Sequence, residues 1–113
     1  MIVCIDPGSR THGLVALNDD GTLVEASAKA SDALVRLILI DTGNACTVII
    51  ERIQAQGVAG NDVIRTAETS ARYAELAANY GHKVVWLYRR HVKQALGIRG
   101  KSSDAIVRAV LQE

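Results

Sequence analysis

Long apolar runs are missing from this sequence. No stretch of the 113 residues approaches the roughly 18 consecutive apolar residues that span a bilayer, so no transmembrane helix is expected. The first residues, Met1-Ile2-Val3-Cys4-Ile5-Asp6, are too few and too uncharged for a secretory signal, and a cytoplasmic location follows as the expectation. Cysteine is scarce: Cys4 and Cys46 cannot form a disulfide framework in a chain of this length, and both lie in or beside apolar runs, as small buried residues do. Internal repeats, low-complexity tracts and linkers are absent, and the only proline is Pro7. One domain spanning residues 1–113 is therefore expected, with 49% hydrophobic residues to build its core. His12, His82 and His91 lack metal-ligand spacing and are expected at the surface or partly buried. No Ser-His-Asp or Cys-His pattern can be assembled either.

What is present is an alternation of strand-like and helix-like segments. Residues 2–6 form a short apolar run ending in Asp6, and Asp6-Pro7-Gly8-Ser9 has the composition of a tight turn. Residues 13–18 and 22–27 read as strands joined through Asp20-Gly21, a strong hairpin signal. Ser31 can cap a helix from Asp32 to Ile40 or Asp41, with Gly43 as terminator. That segment is apolar almost all round, so periodicity leaves a strand open there. Residues 46–51 form a second buried-type strand ending in Glu51, and the Gly-, Ala- and Gln-rich residues 54–60 read as a loop. Asn61 can cap a long helix to about Tyr80, closed by Gly81. Its apolar stripe is read as Val63, Ala67, Ala71, Ala74 and Ala78, with Glu68 and Arg72 pairing on the outer face. Lys83 to Tyr88 is a third buried-type strand, followed by a short helical piece near 91–96 and a last helix beginning after Ser102 or Ser103. The order β, β, β, α, β, α, β, α combines an antiparallel front with parallel crossovers, which makes the sheet mixed and helix-covered.

Two apolar runs thus end on acids, Asp6 and Glu51. Parallel neighbouring strands bring their carboxyl ends to one edge of the sheet, where open α/β sheets bind ligands. Either acid alone could simply end its strand in water. Side by side, two carboxylates call for a cation between them, and their hard oxygens suit Mg²⁺ or Mn²⁺ completed by a substrate phosphate. Gly8 and Gly13 flank Ser9-Arg10-Thr11-His12 and permit a sharp turn that can approach a bound group. The net charge of +1 hides an uneven spread: from Trp86 to Lys101 the bases Arg89, Arg90, Lys93, Arg99 and Lys101 occur without an acid. Such a stretch is either a solvated surface or a face for a polyanion.

The run Ile2-Val3-Cys4-Ile5-Asp6-Pro7-Gly8-Ser9-Arg10-Thr11-His12-Gly13 closely resembles the opening of the RuvC family of Holliday-junction resolvases. Val48-Ile49-Ile50-Glu51-Arg52-Ile53 resembles that family's second acidic strand, and Arg90-His91-Val92-Lys93-Gln94-Ala95-Leu96-Gly97 its Val-Lys-Gln segment. The likeness covers most of the chain and is nearest to compact, phage-type members. It implies an α/β, ribonuclease H-like mixed five-stranded sheet flanked by helices, with strands 1–3 antiparallel and strands 4 and 5 parallel. It further implies a homodimer that cuts four-way or other branched DNA in recombination and repair, with Mg²⁺ (Mn²⁺ as substitute) and no small-molecule cofactor. Asp6 and Glu51 match the first two catalytic, metal-binding carboxylates. Lys93 matches a lysine near the DNA backbone, and Arg10, Arg89, Arg90, Arg99 and Lys101 would add contacts to phosphate.

Two departures from the family pattern bear on function. The aromatic residue expected soon after the second acid is replaced by Gln54, and the chain contains no phenylalanine. The final acidic helix is represented only by Asp104, with Lys101 three residues before it. In one alignment Ser103-Asp104-Ala105-Ile106 is a shortened final helix and Asp104 is the third catalytic and metal-binding residue. In the other, residues 100–107 match the preceding basic helix start, and the chain is a branched-DNA-binding module with an impaired site. An Asp at a helix start is also favoured by the helix dipole alone. A third possibility is a fragment of an actin-like ATPase, whose Asp-x-Gly phosphate turn resembles Asp6-Pro7-Gly8, although the chain is far too short for a two-lobed cleft.

Overall fold

The computed structural model describes residues 1–52 and 60–88. All but the last residue of the expected loop over 54–60, the segment near 91–96 and the last helix lie outside the described residues.

The first strand, β1 (Ile2–Asp6), alternates: Val3 and Ile5 are buried while Ile2, Cys4 and Asp6 face the other way. It pairs antiparallel with β2 (His12–Leu17), which pairs antiparallel with β3 (Leu23–Ala30). The β2–β3 turn is built as its composition requires. Gly21 takes a φ of 87°, and the Asp20 carboxylate accepts from the Thr22 amide at 2.9 Å and from its hydroxyl. Strand β3 runs three residues past the expected end at 27, to Ala30.

Ser31 caps α1 (Asp32–Ile40), its hydroxyl accepting from the Leu34 amide at 3.1 Å. The segment is therefore the helix and not the strand that its apolar composition left open. Val35 and Leu39 are its buried residues, while Leu37 and Ile40 remain exposed. Gly43, with φ 77°, turns the chain into β4 (Thr47–Arg52). The long helix α2 (Asn61–Asn79) begins one residue earlier than a cap at Asn61 would place it. Gly60 holds the cap position without a side-chain bond. Gly81, with φ 81°, then leads into β5 (Lys83–Tyr88), whose bounds agree with the sequence reading.

The strand order is β3-β2-β1-β4-β5, with β1–β4 and β4–β5 parallel. Both helices cover the same face. Val3, Ile5, Leu14, Ala16, Val48 and Ile50 from the sheet meet Val35 and Leu39 of α1 and Tyr73 and Ala77 of α2 in one core. Each large aliphatic side chain there contributes about 1.5–3 kcal/mol through burial. Among the described residues no helix is long and apolar enough to cross a membrane.

The buried stripe of α2 differs from the alanine stripe read in the sequence. Thr66, Ser70, Tyr73 and Ala77 face the core, whereas Ala67, Ala71 and Ala78 are exposed. The hydroxyls are compatible with burial because the helix itself satisfies Ser70, which donates to the Thr66 carbonyl at 2.9 Å. Tyr73 supplies the volume that alanines cannot. Among the described residues, the i,i+4 ion pair is Arg36 with Asp32 on α1, at 2.8 Å, and not Glu68 with Arg72.

Candidate active site

The register between β1 and β4 positions the two acids. Ile2 pairs with Thr47, Val3 with Val48, Cys4 with Ile49 and Ile5 with Ile50. The next residue on each strand is Asp6 and Glu51, so the carboxylates follow side by side at the carboxyl edge, on strands about 4.8 Å apart. Paired residues in a parallel ladder share a face. Since Ile5 and Ile50 point into the helix-covered core, Asp6 and Glu51 project from the opposite face, where both are half-buried. β5 extends the same edge, with Leu87 registered on Glu51.

The β1–β2 turn is packed around Asp6. Gly13 is the antiparallel partner of Asp6, and a Cβ at Gly13 would stand 3.2 Å from the Asp6 Cβ and 3.7 Å from its Oδ2. A Cβ at Gly8 would stand 2.3 Å from the Thr11 carbonyl oxygen. Both glycines therefore serve the sharp turn, where the chain leaves little room for a side chain at either position. Arg10 is exposed on this turn.

His12 and His82 are not surface residues. His12 is 4% exposed, and its Nδ1 accepts from the Gly8 amide at 3.0 Å. Its ring meets that of Tyr73 edge to face, with centroids 5.3 Å apart. The Tyr73 hydroxyl donates to Asp32 at 2.7 Å. Burial holds the His12 imidazole below the ordinary histidine pKa, partly opposed by the Asp32 and Asp6 carboxylates. His82 lies at the other end of the sheet. Its Nδ1 accepts from the Cys46 amide at 3.1 Å, and its Nε2 donates to the Leu39 carbonyl at 2.7 Å. Spacing along the chain could not reveal the role of His82, since its partners are 36 and 43 residues away.

Arg52, the residue after Glu51, carries its guanidinium 4.4 Å over the Trp86 ring on β5. The sequence reading assigned it no part. Its position directly after the second acid was the available signal, and it places a positive charge at the carboxyl end of β4.

The donor set at this edge is oxygen, which fits Mg²⁺ or Mn²⁺. Cys4 lies on the same face as Asp6, and burial pushes its thiol pKa up, favouring the neutral form. Among the described residues no group of three metal-ligating side chains occurs. Asp104, Arg89, Arg90, Lys93, Arg99, Lys101 and Gln54 all lie outside the described residues.

No protein-family model matches the sequence, and no curated protein matches it. Solved structures do match. A structure titled T. thermophilus RuvC in complex with Holliday junction substrate is similar with a TM-score of 0.64 at 17% identity, over 98% of this chain and 87% of that one. A Thermus thermophilus RuvC structure is similar with a TM-score of 0.60 at 21% identity, over 98% of this chain and 76% of that one. These likenesses show the fold: the five-stranded mixed sheet expected from the sequence has the ribonuclease H-like architecture.

Proposed function

We propose that this protein is a divalent-metal-dependent endodeoxyribonuclease that cuts four-way or other branched DNA, a RuvC-like resolvase of the compact phage type, acting as a homodimer. The observation that carries the reading is the β1–β4 register, which brings Asp6 and Glu51 together at the carboxyl edge on the face free of α1 and α2. The fold it shares with RuvC, one structure of which is titled as a complex with Holliday junction substrate, supports the choice of DNA.

Asp6 and Glu51 would hold Mg²⁺ or Mn²⁺, with Asp104 as third ligand. The bound metal would lower the pKa of a water nucleophile and offset charge on the leaving oxygen. Gly13 keeps the space beside Asp6 clear. Arg10, Arg89, Arg90, Lys93, Arg99 and Lys101 would bind phosphates, which positions DNA without reading sequence. Such contacts suit selection by shape, and cytoplasmic DNA is the corresponding substrate.

A labelled four-way junction incubated in Mg²⁺ tests the reading. The parent is expected to release nicked product. Asp6→Asn is expected to bind the junction as the parent does and release none. Cutting by Asp6→Asn at the parental rate would overturn the metal assignment. A second reading is favoured by one sequence feature, Lys101 standing three residues before Asp104 where the family pattern has an acid or a histidine. On that reading the protein binds branched DNA without cutting it, and tight binding with no product from the parent would select it.

A further inference from the structure

We propose that His12 is a positioning residue for the Asp6 site, acting through the backbone of the turn that follows β1. The inference rests on the metal-site reading above and assigns this buried imidazole a part in it.

The argument begins with the donor at Gly8. Residues 6–9 leave the sheet at Asp6, and Pro7 has no amide hydrogen to contribute. The Gly8 amide is the next donor, and it points at His12 Nδ1 over 3.0 Å. An imidazole nitrogen that accepts carries no proton, so the ring is neutral with its hydrogen on Nε2. Burial favours the same neutral form.

The ring itself is held on the helix side. The edge-to-face contact with fully buried Tyr73 restrains it, and the Tyr73 hydroxyl is anchored to Asp32, whose other oxygen meets Arg36 at 2.8 Å. A chain of contacts therefore runs from α1 and α2 through the sheet to the turn two residues beyond Asp6. His12 is also the residue before Gly13, the cross-strand neighbour of Asp6. One side chain thus secures the turn after Asp6 while its own strand abuts Asp6 from the other side. A residue that merely filled the core at this point would need no acceptor aimed at Gly8.

The test compares two replacements. His12→Asn keeps an acceptor near the Nδ1 position, whereas His12→Leu fills similar volume without one. Two quantities are read: hydrogen-exchange protection of the Gly8 amide, and Mn²⁺ affinity by calorimetry on the metal alone. The parent is expected to protect Gly8 and bind Mn²⁺. His12→Leu is expected to lose the protection and bind about tenfold more weakly, the low end for outer partners of a metal site. His12→Asn is expected to restore both to within about threefold of the parent, a recovery that loss of core volume alone would not give. Equal Mn²⁺ affinity in all three proteins overturns the positioning role and leaves the metal site standing. A parent that binds no Mn²⁺ overturns the metal site, and the positioning role with it. Should His12→Leu not unfold cooperatively, His12→Gln replaces it, since its carbonyl is displaced by one methylene and should also fall short of His12→Asn.

Discussion

Replacing Gly13 by alanine separates the geometry of the site from the stability of the fold. The new methyl carbon would lie 3.2 Å from the Asp6 Cβ and 3.7 Å from its Oδ2. Carbon atoms in contact settle at about 3.5–4.0 Å, so Asp6 must retreat by a few tenths of an ångström. A misplacement of 1 Å can lower a rate about a hundredfold. Half that displacement on a logarithmic scale corresponds to about tenfold, and single-turnover cleavage of a labelled four-way junction in Mg²⁺ should fall by about that factor. Stability should barely change. Gly13 is not in the left-handed region, and restricting the unfolded chain returns about 0.4–1 kcal/mol against the local crowding. Urea unfolding run in parallel is expected to agree with the parent within about 1 kcal/mol. Gly8→Ala is the contrast: its methyl would stand 2.3 Å from the Thr11 carbonyl oxygen, which is backbone and cannot rotate away, and a loss of about 1–3 kcal/mol is expected. Parental cleavage by Gly13→Ala would refute the claim that the Asp6 carboxylate position limits the reaction.

Two further perturbations probe the scaffold. His82→Ala orphans the Cys46 amide and the Leu39 carbonyl, and urea unfolding should show a loss of about 2–4 kcal/mol. Because this residue sits at the amino ends of β4 and β5, junction cleavage at a temperature where the variant is folded should stay parental. Tyr73→Phe removes the hydroxyl that donates to Asp32, at about 1 kcal/mol. It also changes alkaline behaviour. Burial, reinforced by Asp32, raises the Tyr73 pKa, so above pH ~10 the unfolded chain releases a proton that the folded chain keeps. Stability from this group is complete below that pH and declines as pH rises toward the folded value. Denaturant midpoints followed upward from pH 9 should fall more steeply in the parent than in Tyr73→Phe, and parallel curves would remove Tyr73 from the account.

Local signals identified most of the elements and failed where a polar residue is buried because the fold satisfies its hydrogen bonds. β5 was legible from 83 to 88 because a glycine turn precedes an unbroken apolar run. Ser31 announced α1 because its cap bond reaches only three residues ahead. The stripe of α2 was misread by scoring alanine as apolar and serine and threonine as polar. A helix can satisfy such a hydroxyl from its own carbonyls, as Ser70 donates to that of Thr66, and both residues turn inward beside Tyr73. His12 and His82 were misplaced for the complementary reason, since what makes a histidine fit for burial is a hydrogen-bond partner that spacing does not show.

The sequence by itself determined that two apolar strands end in carboxylates, that a glycine-bounded turn follows the first, and that oxygen ligands there suit a hard cation. Only the tertiary structure decided that β1 and β4, separated in the chain by a hairpin and a helix, lie next to each other with Ile5 opposite Ile50. The physical reason is the two-residue period of a strand. A slip of one position would have sent Glu51 into the core face and Ile50 out beside Asp6. The burial of Val3, Ile5, Val48 and Ile50 under α1 and α2 prevents that slip and sets the two acids on one side.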